Sequence, residues 1–259
     1  MAERKARLDQ LLVERGLAET RSHAQRLIMA GEVRVNDQVE RRPGKTLPEG
    51  APIELSPGPA FVSRGGQKLA AALERFQIPV NGRACADVGA STGGFTDCLL
   101  QNRAAKVFAI DVGHGLLHWK LRQDERVVVM ERTNARHLTA LPQAVDLVTV
   151  DASFISLKLL LPVAAGWMKP GADLIALIKP QFEAGRQDVG RGGVVRDPEI
   201  RRRAIEAVMA SAAQCGLAPQ GVIRSPLTGP KGNVEFLLWC RLKPPEGPHM
   251  EISSDILAG

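Results

Sequence analysis

The sequence predicts an α/β protein: a Rossmann-like, mainly parallel sheet with helices on both faces, preceded by a small α+β unit. Three observations carry this. After residue 80, five short apolar runs, "ACADVGA", "KVFAIDVG", "RVVVMER", "VDLVTVDAS" and "DLIALIKP", alternate with segments of helical length, the pattern of a parallel sheet wrapped by helices. Before residue 47 the pattern is different and more compact. Between the two lies "LPEGAPIELSPGPA", with four prolines in fourteen residues, which reads as the end of one unit and a linker. At 259 residues and 44% apolar content, the chain can supply a core for one large domain and a small one. The boundaries expected are 1–58, 59–243 and a period-free, proline-bearing tail over 244–259.

Taking the elements in order, residues 4–30 predict two helical segments. Leu8, Leu11 and Leu12 mark one apolar face and Ala24, Leu27 and Ile28 another, with Thr20 or Ser22 available to cap the second helix. Val33 and Val35, a turn at Asn36-Asp37 and Val39 predict a short hairpin. "FVSRGGQKLAAALERF" (61–76) places Ser63, Arg64, two glycines and Lys68 just ahead of an amphipathic helical pattern. The five strand runs follow, and "PQGVIRSPLTGPKGNVEFLLWCRL" then offers two strands joined by a Gly/Pro loop, a hairpin at one sheet edge.

Composition narrows the chemistry. Cys85, Cys98, Cys215 and Cys240 are scattered, with no C-x-x-C pair or histidine at ligand spacing. Reduced, buried thiols and no metal site are expected. "MAERKARLDQ" has no apolar core of a secretory signal, and the apolar run "LLLPVAAGWM" is far short of the roughly 20 residues of a spanning helix. A cytoplasmic protein with no membrane association is expected. A net charge of +6 is compatible with a polyanionic partner.

"ADVGASTGGF" (86–95) follows a strand and opens a helix; Gly89, Gly93 and Gly94 would let backbone approach a ligand closely. The spacing is not G-x-G-x-x-G and no G-K-[ST] follows, so a dinucleotide or P-loop reading is disfavoured. Asp87 at the start of the turn and Asp111 closing the next strand suit a nucleoside cofactor, since a carboxylate there can accept both ribose hydroxyls. Either aspartate alone would be an ordinary polar strand end; with the glycine turn they resemble S-adenosylmethionine (SAM)-dependent methyltransferases. That resemblance implies SAM as cofactor, with Asp87, Gly89, Ser91, Thr92, Gly93, Gly94, Phe95, Asp111 and Asp151 as its binding residues. Asn134, after the third strand, could meet the adenine edge or serve as a turn residue.

The fourth strand ends in Asp151-Ala152-Ser153-Phe154, not in the Asn/Asp-Pro-Pro-aromatic run of base-nitrogen or glutamine methyltransferases. The fifth ends at Lys179, at the carboxyl edge where open α/β sheets bind ligands, and Glu235 stands among apolar neighbours in the last hairpin, where it needs a partner. Lys68, Asp151, Lys179 and Glu235, in that order, resemble the Lys-Asp-Lys-Glu tetrad of FtsJ-type ribose 2′-O-methyltransferases. "SRGGQKL", "DVGASTGGFTD", "VDASFISL", "IKPQFE" and "GPKGNVEFLLW" further resemble the TlyA family of rRNA 2′-O-methyltransferases, formerly called hemolysins. The N-terminal unit resembles the RNA-binding domain named after ribosomal small-subunit protein S-four. The family mechanism implies that Lys179 meets the 2′-hydroxyl and accepts its proton, while Lys68, Asp151 and Glu235 orient and balance charge. Two lysines in one site could depress each other's proton affinity, and four coupled charges titrate as a group.

The family also implies cytidine targets in large-subunit and in small-subunit rRNA, with ribosomal RNA and ribosomal subunits as partners and no obligate protein partner. The first 60 residues hold ten Lys/Arg against nine Asp/Glu, so RNA contact rests on placement: Arg4, Arg7, Arg21, Arg26 and Arg34, with Arg64 beyond the linker. No aromatic residue occurs there, which disfavours base stacking and favours phosphate and shape contacts. "AGRQDVGRGGVVRDPEIRRR" adds Arg186, Arg191 and Arg196 on a glycine-rich loop. Arg201 to Arg203 open a helix, where cations oppose the macrodipole and phosphate contact is the expected explanation. Two alternatives stand beside this reading: a non-catalytic ribosome-binding assembly factor, and a membrane-lytic hemolysin, which would need a membrane-active segment.

Overall fold

The computed structural model describes residues 4–56 and 59–242, and the expected tail over 244–259 lies outside the described residues. The chain divides into two compact units, Met1–Ala60 and Phe61–Gly259.

In the first unit, strand β1 (Lys5–Arg7) leads into helix α1 (Leu8–Glu14), and α2 (Arg21–Ala30) follows. Residues 5–7, expected to be helical, are extended because they pair with β4 (Thr46–Pro48). The Thr20 hydroxyl accepts from the His23 amide and caps α2, which ends at Gly31 in the left-handed region, the usual asymmetry of helix ends. Strands β2 (Val33–Val35) and β3 (Gln38–Val39) form the expected hairpin. Asn36 and Asp37 both have positive φ, 49° and 62°, the signature of a two-residue I′ turn. β5 (Ile53–Leu55) flanks the other side of β2. Leu8, Leu11, Leu12, Ala24, Ile28 and Val33 form the core.

The second unit begins with α3 (Gly65–Phe76) and continues with β6 (Ala84–Val88), α4 (Gly94–Gln101), β7 (Lys106–Ile110), α5 (Trp119–Arg122), β8 (Val127–Met130) and β9 (Val145–Val150). It is completed by α6 (Leu161–Trp167), β10 (Met168–Ile178), α7 (Pro180–Glu183), α8 (Pro198–Gln214), β11 (Leu217–Arg224) and β12 (Phe236–Leu242). The seven strands lie in the order β11-β12-β10-β9-β6-β7-β8. The five from β6 to β10 pair in parallel, and β12 is antiparallel to both β10 and β11. The strand order reverses between β6 and β9, which makes the crevice at their carboxyl ends the place where such sheets bind ligands.

The sheet is buried on both faces, so its strands read as continuous apolar runs rather than alternating ones. Ala84, Ala86 and Val88 face a core with Leu161, Ile205 and Val208 from α6 and α8. Cys85, Val107 and Ile175 face the opposite one, with Leu69, Leu73 and Leu99 from α3 and α4. All four cysteines are free thiols. Burial pushes those of Cys85, Cys98 and Cys240 up to about 12, which leaves them inert as nucleophiles.

Candidate active site

Two cavities open at the carboxyl edge of the sheet, and Gly89, Ser91, Asp151 and Ser153 line both of them. The larger, about 450 Å³, runs from the end of β6 past Asp111, Val112, Leu116 and Asn134 to Phe154 and Leu160. The other, about 320 Å³, contains Lys68, Asp151, Lys179 and Glu235 together with Ser63, Arg64 and Gly65.

The tetrad residues come from four separated elements. Lys68 lies on the second turn of α3 rather than ahead of the helix as expected. The helix starts at Gly65, and Gly66 allows this turn to close on Phe61: a Cβ on Gly66 would sit 2.2 Å from that ring. Asp151 follows β9, Lys179 follows β10, and Glu235 precedes β12. The four make two ion pairs, Lys68 Nζ to Glu235 Oε2 at 2.6 Å and Lys179 Nζ to Asp151 Oδ1 at 2.7 Å. Lys179 also donates to the Ser153 hydroxyl at 2.8 Å. Glu235 is 2% exposed and Lys179 8%, so each buried charge has its counter-charge. An unpaired charge at either place would carry a large desolvation cost. Ser153, a lysine partner, was not singled out by sequence reasoning; its place two residues after the strand-end aspartate was the available signal.

The larger cavity suits an adenosine-bearing cofactor. Gly89 has φ +80°, and a Cβ there would stand 2.6 Å from the Asp151 carbonyl oxygen, so the turn closes only with glycine. Asp111 is fixed by two backbone amides, Ser91 N–H to Oδ2 and Gly113 N–H to Oδ1, each at 2.7 Å. Its carboxylate edges a wall of Val112, Leu116 and Leu160, an acceptor for ribose hydroxyls beside an apolar slot for a base. Asn134 lines the same cavity, and its side-chain oxygen accepts from the Arg136 amide at 3.1 Å. It is therefore a turn residue on the lining of that cavity.

The loop forming that wall depends on Glu131, which sequence reasoning missed. Its carboxylate accepts from the amides of Gly115, Leu116 and Leu117 and pairs with His114 and Arg122. The Gly115 amide is the foremost cause that holds its carboxyl down at about 2.

Several expected contacts are corrected. Asp87 is fully buried. Its oxygens accept from the Thr96 hydroxyl at 2.7 Å and the Thr149 hydroxyl at 3.0 Å, so it braces the start of the turn instead of facing a ribose. Desolvation raises its carboxyl to about 6. Thr92 and Gly93 line neither cavity. Gly93 is required by packing, since a Cβ would meet the Leu121 side chain at 2.2 Å. Gly94 and Phe95 border the tetrad cavity; a Cβ on Gly94 would sit 2.3 Å from Ser63 Oγ. The arginines opening α8 are also explained without phosphate. Arg201 is 4% exposed and donates to the Val195 carbonyl, with desolvation lowering its proton affinity. Arg202 pairs with Glu199 and Glu206, and Arg203 lies 3.8 Å from Asp188.

In the first unit, the fully buried Asp9 accepts from Arg7, Arg21 and Gln25. The Arg7 hydrogen bonds are the main cause that keeps its carboxyl well below the ordinary range. Arg7 and Arg21 thus present partly exposed guanidinium groups from a fixed base. Arg4 pairs with Glu49, Arg34 donates to the Asp37 carbonyl, and Arg26 is exposed. Arg64, Arg191 and Arg196 are exposed in the second unit.

A doubly wound sheet with a glycine turn, a cofactor-sized cavity and an abutting Lys-Asp-Lys-Glu cluster defines the class of SAM-dependent methyltransferases. Comparison with known proteins narrows it. The FtsJ-like methyltransferase family matches residues 61–242 and the S4 domain residues 6–53. A protein of Mycobacterium tuberculosis named 16S/23S rRNA (cytidine-2′-O)-methyltransferase TlyA is 50% identical over 242 residues, covering 92% of this chain and 90% of its own. Hemolysin A of Brachyspira hyodysenteriae is 39% identical, with 89% and 98% covered. Among solved structures, a candidate hemolysin from Streptococcus thermophilus superposes with a TM-score of 0.73 at 40% identity, covering 99% of this chain and 94% of that one. The chain belongs to the TlyA family of FtsJ-like methyltransferases with an N-terminal S4 domain.

Proposed function

We propose that this protein methylates the ribose 2′-hydroxyl of a cytidine in ribosomal RNA, using SAM, and that it acts in the cytoplasm on ribosomal subunits, without an obligate protein partner. The observation that carries the reading is the tetrad: four charges from four elements, paired in one cavity that abuts the cofactor-sized one. The relatives' names supply the RNA and the nucleoside, the M. tuberculosis protein for 16S and 23S rRNA and a Campylobacter jejuni relative for 23S. Large-subunit rRNA is the proposed substrate, with small-subunit rRNA as a second one.

SAM, when bound, supplies a methyl group already activated on a sulfonium, so the protein's tasks are alignment and proton management. Gly89, Ser91, Asp111, Asn134 and Asp151 would hold it along the larger cavity. A lysine ammonium has three donors, and Asp151 and Ser153 engage two of those on Lys179. Once the third proton has been lost to solvent, the freed lone pair of Lys179 faces the 2′-hydroxyl and accepts its proton as the new O–C bond forms, which restores the ammonium. Asp151 steadies Lys179, while the Lys68–Glu235 pair closes the opposite wall and keeps the pocket electrically balanced. Arg7, Arg21 and Arg26 of the first unit, with Arg4 and Arg34, engage phosphates of folded rRNA.

No described helix is long and apolar enough to cross a membrane. The test is methyl transfer from labelled SAM to ribosomal subunits lacking the modification, comparing wild type with Lys179→Ala. Label mapping to a 2′-O-methylcytidine and lost in the variant, with SAM affinity retained within a few-fold, is expected. Cofactor binding without any label in RNA would sink the enzymatic reading in favour of an assembly factor.

A further inference from the structure

Two glycine-rich loops meet beside the tetrad. One, 190–195, is a tight turn closed by a Gly190–Val194 bridge, with Gly192 and Gly193 at φ +82° and +79°. The other, 228–233, lines the tetrad cavity through Thr228 and Pro230 and runs into Glu235. Asn233 joins them. It is 3% exposed; its Oδ1 accepts from the Val195 amide at 3.0 Å and its Nδ2 donates to the Gly193 carbonyl at 2.8 Å. Its own carbonyl accepts from the Gly229 amide at 2.9 Å, so one residue closes its own loop and fastens the neighbouring one. From the other side, Arg201 holds the Val195 carbonyl. A side-chain amide that satisfies an amide and a carbonyl of the same loop, out of water, fixes that loop far better than a solvated contact would.

The fastened loops carry cations that nothing in the fold neutralises. Arg191, Arg196 and Lys231 are exposed, and none has a hydrogen bond or ion pair among the described residues. Several other arginines, by contrast, are held by carboxylates, as at Asp9, Asp124 and Asp173. The two loops approach closely: an added Cβ on Gly193 would stand 3.7 Å from Lys231 Nζ, so the Lys231 ammonium lies over the first loop's glycine. Small residues leave its backbone open to a bulky anion.

We infer that the two loops form a phosphate clamp for the RNA strand on either side of the target ribose, with Arg191, Arg196 and Lys231 as its contacts and Asn233 as its positioning residue. The inference rests on RNA being the substrate and adds how the strand is seated at the tetrad. Phosphodiester charge is what three unpaired cations on a glycine-rich rim can engage without reading sequence. Asn233 touches no substrate. It sets the distance between the clamp and Glu235, two residues further along the chain.

The experiment compares wild type, Arg191→Ala/Lys231→Ala and Asn233→Ala. Methyl transfer to unmodified ribosomal subunits is followed at several salt concentrations, SAM affinity is measured by calorimetry without RNA, and direct RNA binding by fluorescence anisotropy. The double variant is expected to raise KM for RNA about tenfold and to flatten the log kcat/KM against log salt slope by roughly 1.4 to 1.8, the loss of two phosphate contacts. Asn233→Ala, which removes no charge, is expected to raise KM by a similar factor, with SAM affinity within twofold for both. An unchanged KM and salt slope in the double variant overturns the clamp. A lower kcat or lost SAM affinity at unchanged KM in Asn233→Ala overturns its positioning role. If wild type transfers no methyl group to RNA, it is the proposed activity that fails, and the anisotropy series still decides the clamp.

Discussion

At the scale of single residues, the site's charges are arranged so that each is affordable only in company. Removing Lys68 leaves Glu235 buried and unpaired, a change of about 3 to 5 kcal/mol for such pairs. Lys68→Met is expected to lower the urea midpoint sharply, and Lys68→Met/Glu235→Gln to restore most of it, while both lose methyl transfer. Stability that does not recover in the double variant would mean that Lys68 is needed for packing rather than for charge. Asp87 presents the opposite case, a buried carboxylate with two hydroxyl donors and no cation. Its carboxyl, at about 6 against an ordinary 3.8, favours the folded state when protonated. That contribution is complete below pH 4 and is lost as pH rises to 6, about 3 kcal/mol for 2.2 units at 1.36 each. In Asp87→Asn this component of the pH dependence should vanish, so that the two stability curves diverge between pH 4 and 6 in favour of the variant. Parallel curves across that window would show that Asp87 does not titrate there.

At the scale of elements, turns rather than strands decide what the cavities can hold. Gly89→Ala must either adopt a φ of +80° with a side chain or push the end of β9 away from the 2.6 Å approach. Strain of this kind costs on the order of 1 to 3 kcal/mol, and SAM affinity should fall at least tenfold; retained affinity would show that the strand ends yield freely. Glu131→Gln removes the charge that gathers the amides of residues 115–117. It should weaken SAM about tenfold by calorimetry and leave the Lys179–Asp151 pair undisturbed. An unaltered affinity would show that packing of Leu117 and Leu121 suffices to hold the loop. These turns also mark the limit of what the sequence discloses. Strand runs are legible because buried strands are apolar on both faces, and Asp151, Lys179 and Glu235 stand out as charges at strand ends, whereas Lys68, on helix α3, is legible only through the resemblance to the FtsJ-type tetrad. The side on which a turn residue lies is not legible: Asp87, Thr92 and Gly93 share the motif with Gly89, Ser91 and Gly94, and only the tertiary packing of Thr149 and Leu121 separates them. Arg201 reads as a surface cation because nothing local shows that the 190–195 loop folds back over it.

At the scale of the whole molecule, the two units differ in the means of holding themselves together. The first relies on a small core built on Leu8, Leu11, Leu12 and Ile28, with Asp9 and Glu40 each gathering cations. Units of about this size bury a modest fraction of their surface and are marginal on their own. The second has a seven-stranded sheet covered on both faces. All three tryptophans, Trp119, Trp167 and Trp239, belong to it and none to the first, so two probes can be read against each other. In urea, far-UV circular dichroism should begin to change at a lower concentration than tryptophan fluorescence, with a shallow early phase, since the slope of such transitions scales with the surface exposed. High salt should move the early phase further down by screening the half-exposed pairs of Asp9 and Glu40, leaving the fluorescence transition where it was. Coincident transitions at every salt concentration would show instead that the units unfold as one cooperative body, and stability changes in the first would then be felt at the tetrad.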